Sequence, residues 1–66
     1  MTKFSCTMTV GEDLHYVTLI AENEQQAKEM AVAESKVGAT RNWSVAVLER
    51  DVSGPAQIVA SGAREL

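Results

Sequence analysis

The sequence predicts an α+β domain in the order ββαββ: a four-stranded, mainly antiparallel sheet with one helix packed on one face. Three observations carry this expectation. Polar and apolar residues alternate strictly at the start, with Phe4, Cys6, Met8 and Val10 on one parity. A capping signal at Asn23 then opens a run of alanines at helical spacing. Two further β-rich segments follow, separated by Gly54-Pro55.

Lys3, Ser5, Thr7 and Thr9 fall between the apolar residues of the first segment, the pattern of a half-buried strand. Gly11-Glu12-Asp13 is a turn, and His15 to Ala21 is a second strand rich in β-branched and aromatic types. So short a turn makes the two an antiparallel hairpin. In the second strand Val17, Leu19 and Ala21 share one face, and Tyr16, Thr18 and Ile20 the other. Both faces are fairly apolar, as in a central strand or one whose second face a partner covers.

Asn23 is a good helix N-cap, and Gln26 completes an Asn-x-x-Gln box. Glu24 in the first turn and Lys36 near the end both suit the helix dipole, and Gly38 can close the helix in the left-handed conformation. Ala27, Met30, Ala31 and Val37 repeat at helical spacing. Alanines let a helix lie close on a sheet, with Met30 filling the gap. So thin a helix covers only part of four strands, and some apolar sheet surface stays bare. Trp43 to Arg50 is a third strand, Asp51 to Pro55 a turn, and Ala56 to Ser61 a fourth strand. The expected organisation is one domain over residues 1–61, with residues 62–66 a short C-terminal tail.

A chain of 66 residues is one domain. At this size only ~60% of the unfolded surface is hidden, so a staple, a metal or a partner is the usual supplement. Cys6 is the single cysteine, which excludes an internal disulfide and fits a reducing cytoplasm. One His and one Cys cannot supply four zinc ligands. A partner protein or a homodimer remains as the source of extra stability.

Nine acids against six bases give a net charge of −3. That argues against direct nucleic-acid binding, which needs a basic footprint. No apolar stretch reaches the ~18 residues of a membrane span. The alternating N-terminus lacks the apolar core of a signal peptide. These features lead to the expectation of a cytoplasmic protein.

Cys6 and His15 could pair across the first hairpin as nucleophile and base. Cys6 lies on the alternating apolar face, which favours a small buried hydrophobe, and no third group is evident to orient the pair. The carboxylates are spread along the chain as on a solvated surface, or as an acidic face meeting a basic groove. The glycines stand too far apart for a phosphate loop. No catalytic, metal or cofactor residues are expected. Trp43 is either a core plug or an interface anchor. The candidate partner-binding residues, chosen for size, charge and expected exposure, are Tyr16, Glu22, Trp43, Glu49, Arg50 and Asp51.

The stretch VTLIAENEQQAKEMA joins a strand to Ala21-Glu22-Asn23 and a helix with alanines four apart at Ala27 and Ala31. From Val17 to Ala60 the chain resembles small phage-encoded anti-CRISPR and other anti-defence inhibitors, stand-alone domains with a sheet and one or two helices. The resemblance implies a non-enzymatic inhibitor that binds a host protein complex, such as a CRISPR effector, and occludes a nucleic-acid-binding or assembly surface. Arg41-Asn42-Trp43 is similar to the point in dodecins where a tryptophan opens the strand after the helix and stacks on flavin. That alternative implies a small oligomeric ligand-binding protein. The extra N-terminal strand and the short last strand depart from it.

Overall fold

A computed structural model describes the whole chain, Met1 to Leu66. In chain order it runs β1 (Thr2–Val10), β2 (Asp13–Ala21), α1 (Glu24–Ser35), a 3-10 turn at Thr40–Asn42, β3 (Ser44–Glu49) and β4 (Gln57–Glu65). The strands form one sheet in the order β3-β1-β2-β4, each antiparallel to its neighbours. The ββαββ order and the single helix on one sheet face are those predicted.

β1 and β2 turn through Gly11 and Glu12, with Gly11 at φ 59° and Val10 opposite Asp13. This register pairs Phe4 with Leu19, Cys6 with Val17 and Met8 with His15. Their side chains share one face. Lys3 with Ile20, Ser5 with Thr18, Thr7 with Tyr16 and Thr9 with Leu14 take the other. A period of two in the sequence thus becomes two chemically different surfaces.

The chain enters α1 through the predicted cap. Asn23 Oδ1 accepts from the Gln26 N–H at 2.8 Å, and Gln26 Oε1 accepts from the Glu22 N–H at 2.6 Å, one residue before the cap. The exit differs from expectation. Lys36 itself takes the left-handed conformation at φ 62°, and its N–H donates to Val32 O at 2.8 Å. Gly38, also left-handed, serves close approach: a Cβ there would stand 2.6 Å from Met8 Sδ. The helix closes two residues earlier than expected, and Gly38 then lets the chain pack down over Met8.

Ala27 and Ala31 are fully buried against Cys6, Val17, Leu19 and Ala21, with Phe4 and Met8 beside them. Met30 and Val32 flank the contact half-buried. Trp43 closes one end of this layer at 3% exposure, its indole N–H donating to Val37 O at 3.4 Å. Of the two roles open to Trp43, the core plug is the one it takes.

β3 and β4 lie on opposite edges, so the chain from Arg50 to Ala56 crosses the end of the whole sheet. The Val52 N–H fastens this crossing to Met1 O at 2.8 Å. β4 does not stop at Ser61. Residues 62 to 65, where the sequence suggests a tail, continue the ladder with Tyr16 through Asp13, and the Leu66 N–H donates to Glu12 O at 2.8 Å. Gly62-Ala63-Arg64-Glu65 has little strand propensity; the open edge of β2 supplies the hydrogen-bond partners that override it.

The alanine contact leads to a stability prediction. Ala31→Leu adds three carbons at a position fully sealed from solvent within the core and should lower unfolding free energy by about 1–3 kcal/mol, measured by urea titration. Unchanged or raised stability would mean that the helix is not pressed on the sheet at this point.

Candidate functional site

The sheet has one covered face and one bare face. On the bare face β1 presents Lys3, Ser5, Thr7 and Thr9, and β2 presents Leu14, Tyr16 and Thr18; Ile20 lies on the same side but is buried. β4 adds Ala60, Gly62 and Arg64, opposite Thr18, Tyr16 and Leu14. Tyr16 does not stand away from the sheet: its hydroxyl lies over Gly62, where a Cβ would come within 2.6 Å of the phenol oxygen. A glycine inside a strand is costly, and here it makes room for an aromatic ring from the neighbouring strand. Ser5, Thr7, Leu14, Tyr16, Thr18 and Arg64 frame a shallow depression of about 350 Å³. The chemistry on offer is an aromatic surface, aliphatic ground, several hydroxyls and one guanidinium. Such a surface can be dried by a protein partner while still making hydrogen bonds.

The predicted contact residues divide into three groups. Glu22, Glu49, Arg50 and Asp51 are exposed at the end of the sheet where Thr2 and Lys3 pair with Ala21 and Glu49. Asp51 holds a left-handed conformation, φ 56°, at the start of the crossing. Tyr16, 37% exposed, lies five residues further along β2 from Ala21, a separation of ~17 Å at strand rise. Trp43 leaves the set. Its ring is enclosed by the core, so it offers neither an anchor to a protein nor a free face for a flavin to stack on.

Sequence reasoning missed Arg64 and Gly62, because residues 62–66 lack a strand signal. The hydroxyl stripe of Ser5 and Thr7 was visible as the polar half of an alternating strand. Its pairing with Thr18 and Tyr16 came only with the register.

Cys6 and His15 both face α1, but the thiol lies beneath the helix with no solvent exposure. Its Sγ–H points to Ala27 O at 4.0 Å. Burial foremost, and then the charge of Glu24, raise its pKa from 9.0 to about 11. An activated cysteine needs the reverse shift. His15 instead borders a cleft of about 300 Å³ with Glu34 and Ser61, whose hydroxyl donates to Glu34 Oε2 at 3.1 Å. That bond engages the serine with the carboxylate rather than with an imidazole base, unlike a nucleophilic triad. No three of the His, Cys, Asp and Glu side chains gather closely enough to hold a metal ion. No helix is long and apolar enough to cross a membrane.

Compared with known proteins, the chain matches no family model, no curated protein and no solved structure.

The raised thiol pKa has a signed consequence. Below about pH 9 Cys6 is protonated in both the folded and unfolded states. Between about pH 9 and about pH 11 the unfolded chain releases a proton that the folded chain keeps, so stability falls as pH rises through this window. Denaturation at pH 8 and pH 10.5 should show this loss in the native chain and a smaller one in Cys6→Ala. Equal pH dependence in both would place the thiol in solvent.

Proposed function

We propose that this chain is a non-enzymatic inhibitor of a host defence complex, anti-CRISPR-like, that works in the bacterial cytoplasm by protein contact. It binds a protein surface and occludes that surface's nucleic-acid-binding or assembly role. The observation that carries the binding reading is the sheet face without a helix: it holds Tyr16 exposed, with Leu14 and the hydroxyls of Ser5, Thr7 and Thr18 half-buried around it.

Two further features fit an inhibitor. Glu22, Glu49 and Asp51 lie at one end of the sheet, with Lys3 and Arg50 beside them, and the chain carries a net charge of −3. An acidic protein is steered toward basic surfaces, and the grooves of nucleic-acid-binding complexes are basic. The resemblance of Val17 to Ala60 to small anti-defence inhibitors supplies the target class. Contact chemistry rather than turnover suits a chain whose one thiol is buried and unactivated.

The test is capture of host proteins on a tagged copy, followed by a nucleic-acid-binding assay on what is captured. A stoichiometric defence complex should co-elute and lose affinity for its nucleic acid. Tyr16→Ala combined with Glu49→Arg should abolish capture with the circular dichroism spectrum unchanged. Full capture by the double variant would place contact elsewhere, and a captured complex with undiminished nucleic-acid binding would end the inhibitor reading. Trp43→Ala reports on something else: truncation of this core residue should cost about 3–5 kcal/mol of stability.

A further inference from the structure

The edge strand β4 is unprotected. Natural sheets guard their edges with short strands, lysine, proline, bulges or a covering element. β4 has nine residues, no proline and no lysine, and it is exposed almost throughout. Its one irregularity, where the register shifts between Thr18 and Leu19, lies near its start and leaves Ala60 to Glu65 regular. The other edge, β3, has six residues and a register shift of its own. The Leu66 N–H points at Glu12 O, which sets the alternation along the strand. Arg64 and Gly62 therefore turn their peptide groups toward β2, while Glu65, Ala63 and Ser61 turn theirs outward, unpaired.

We propose that this edge pairs with the β4 of a second copy, antiparallel about a two-fold axis at Gly62, so that two four-stranded sheets become one of eight strands. In this register Ser61 faces Ala63 of the other copy and each exchanges both hydrogen bonds with it, because both are outward-turned residues. Gly62 faces its own counterpart. The two Tyr16 rings, each already reaching across β4 with its hydroxyl over Gly62, then approach each other over the axis. The mid-strand glycine thereby admits a ring from each side of the seam. Arg64 meets Ala60 and Glu65 meets Val59, so no like charges are set against one another. The strand is self-complementary in this arrangement, as a two-fold contact requires, and an axis at Gly62 is the register that brings the two Tyr16 rings together. Both helices fall on the same side of the joined sheet, and a chain of 66 residues gains the added burial that small domains draw from oligomers. Glu22, Glu49, Arg50 and Asp51 lie away from the seam. Tyr16 belongs both to this seam and to the bare face of the inhibitor reading, so the two are told apart at Ala60 and Ala63, which the inhibitor reading does not use.

The register makes the test specific. Light scattering of the purified chain over a broad dilution series should give twice the 7.1 kDa chain mass, falling to one copy on dilution. Ala60→Lys sets a second cation against Arg64 at two symmetric places and should weaken dimerisation about fivefold or more, whereas Ala60→Glu should strengthen it. Ala63→Pro deletes an outward N–H without touching the bonds to β2 and should leave a folded monomer. A wild-type chain that stays monomeric at the highest concentration overturns the proposal. So does a dimer that responds equally to Ala60→Lys and Ala60→Glu, whatever Ala63→Pro does to the fold.

Discussion

Everything in this molecule hangs on the approach of two alanines to a sheet. Ala27 and Ala31 leave no side-chain spacer between α1 and the patch formed by Cys6, Val17 and Leu19, and all five are essentially sealed from water. Close approach gives dense contact at low cost, since alanine has no rotamer freedom to lose and is the best helix former. The same choice limits the width of what the helix can cover. A twelve-residue helix resting on alanines shields the middle two strands, while Val47 and Val59 on the two edge strands stay nearly half exposed.

The remaining features follow from that narrowness. With a single covering layer, the second face of the sheet must be compatible with water, and the hydroxyls of Ser5, Thr7, Thr9 and Thr18 make it so. Trp43 closes the end of the core that the helix does not reach. Gly38 lets the connection drop onto Met8 at the same end. The bare face and the bare β4 edge are the surface left over when a small core is closed with the least material. The buried thiol with its raised pKa has no part in them.

Much of this was written in local pattern. The β1 alternation, the Asn23-Gln26 cap and the Gly54-Pro55 turn announce the element order without ambiguity, since each is a short-range signal with a physical cause. What was not legible depended on pairing. Gly62 to Glu65 looks like a tail because its strand state comes from the free edge of β2, not from its own residues. Lys36 rather than Gly38 caps the helix because the descent onto Met8 fixes where the helix must stop. Trp43 could be core or surface until the end of the helix layer was placed. The same limit held for the candidate site: Tyr16 was recognised from its own strand, but the glycine that receives it sits 46 positions away in sequence and joins it only through the sheet register.

Native-state amide hydrogen exchange, followed by NMR, tests the central dependence most directly. If the alanine contact holds the fold together, the slowest amides of α1, β1 and β2 exchange with one common free energy, equal to that of global unfolding. Exchange of α1 at markedly lower free energy, with β1 and β2 still protected, would show a sheet that stands without its helix and would contradict the account.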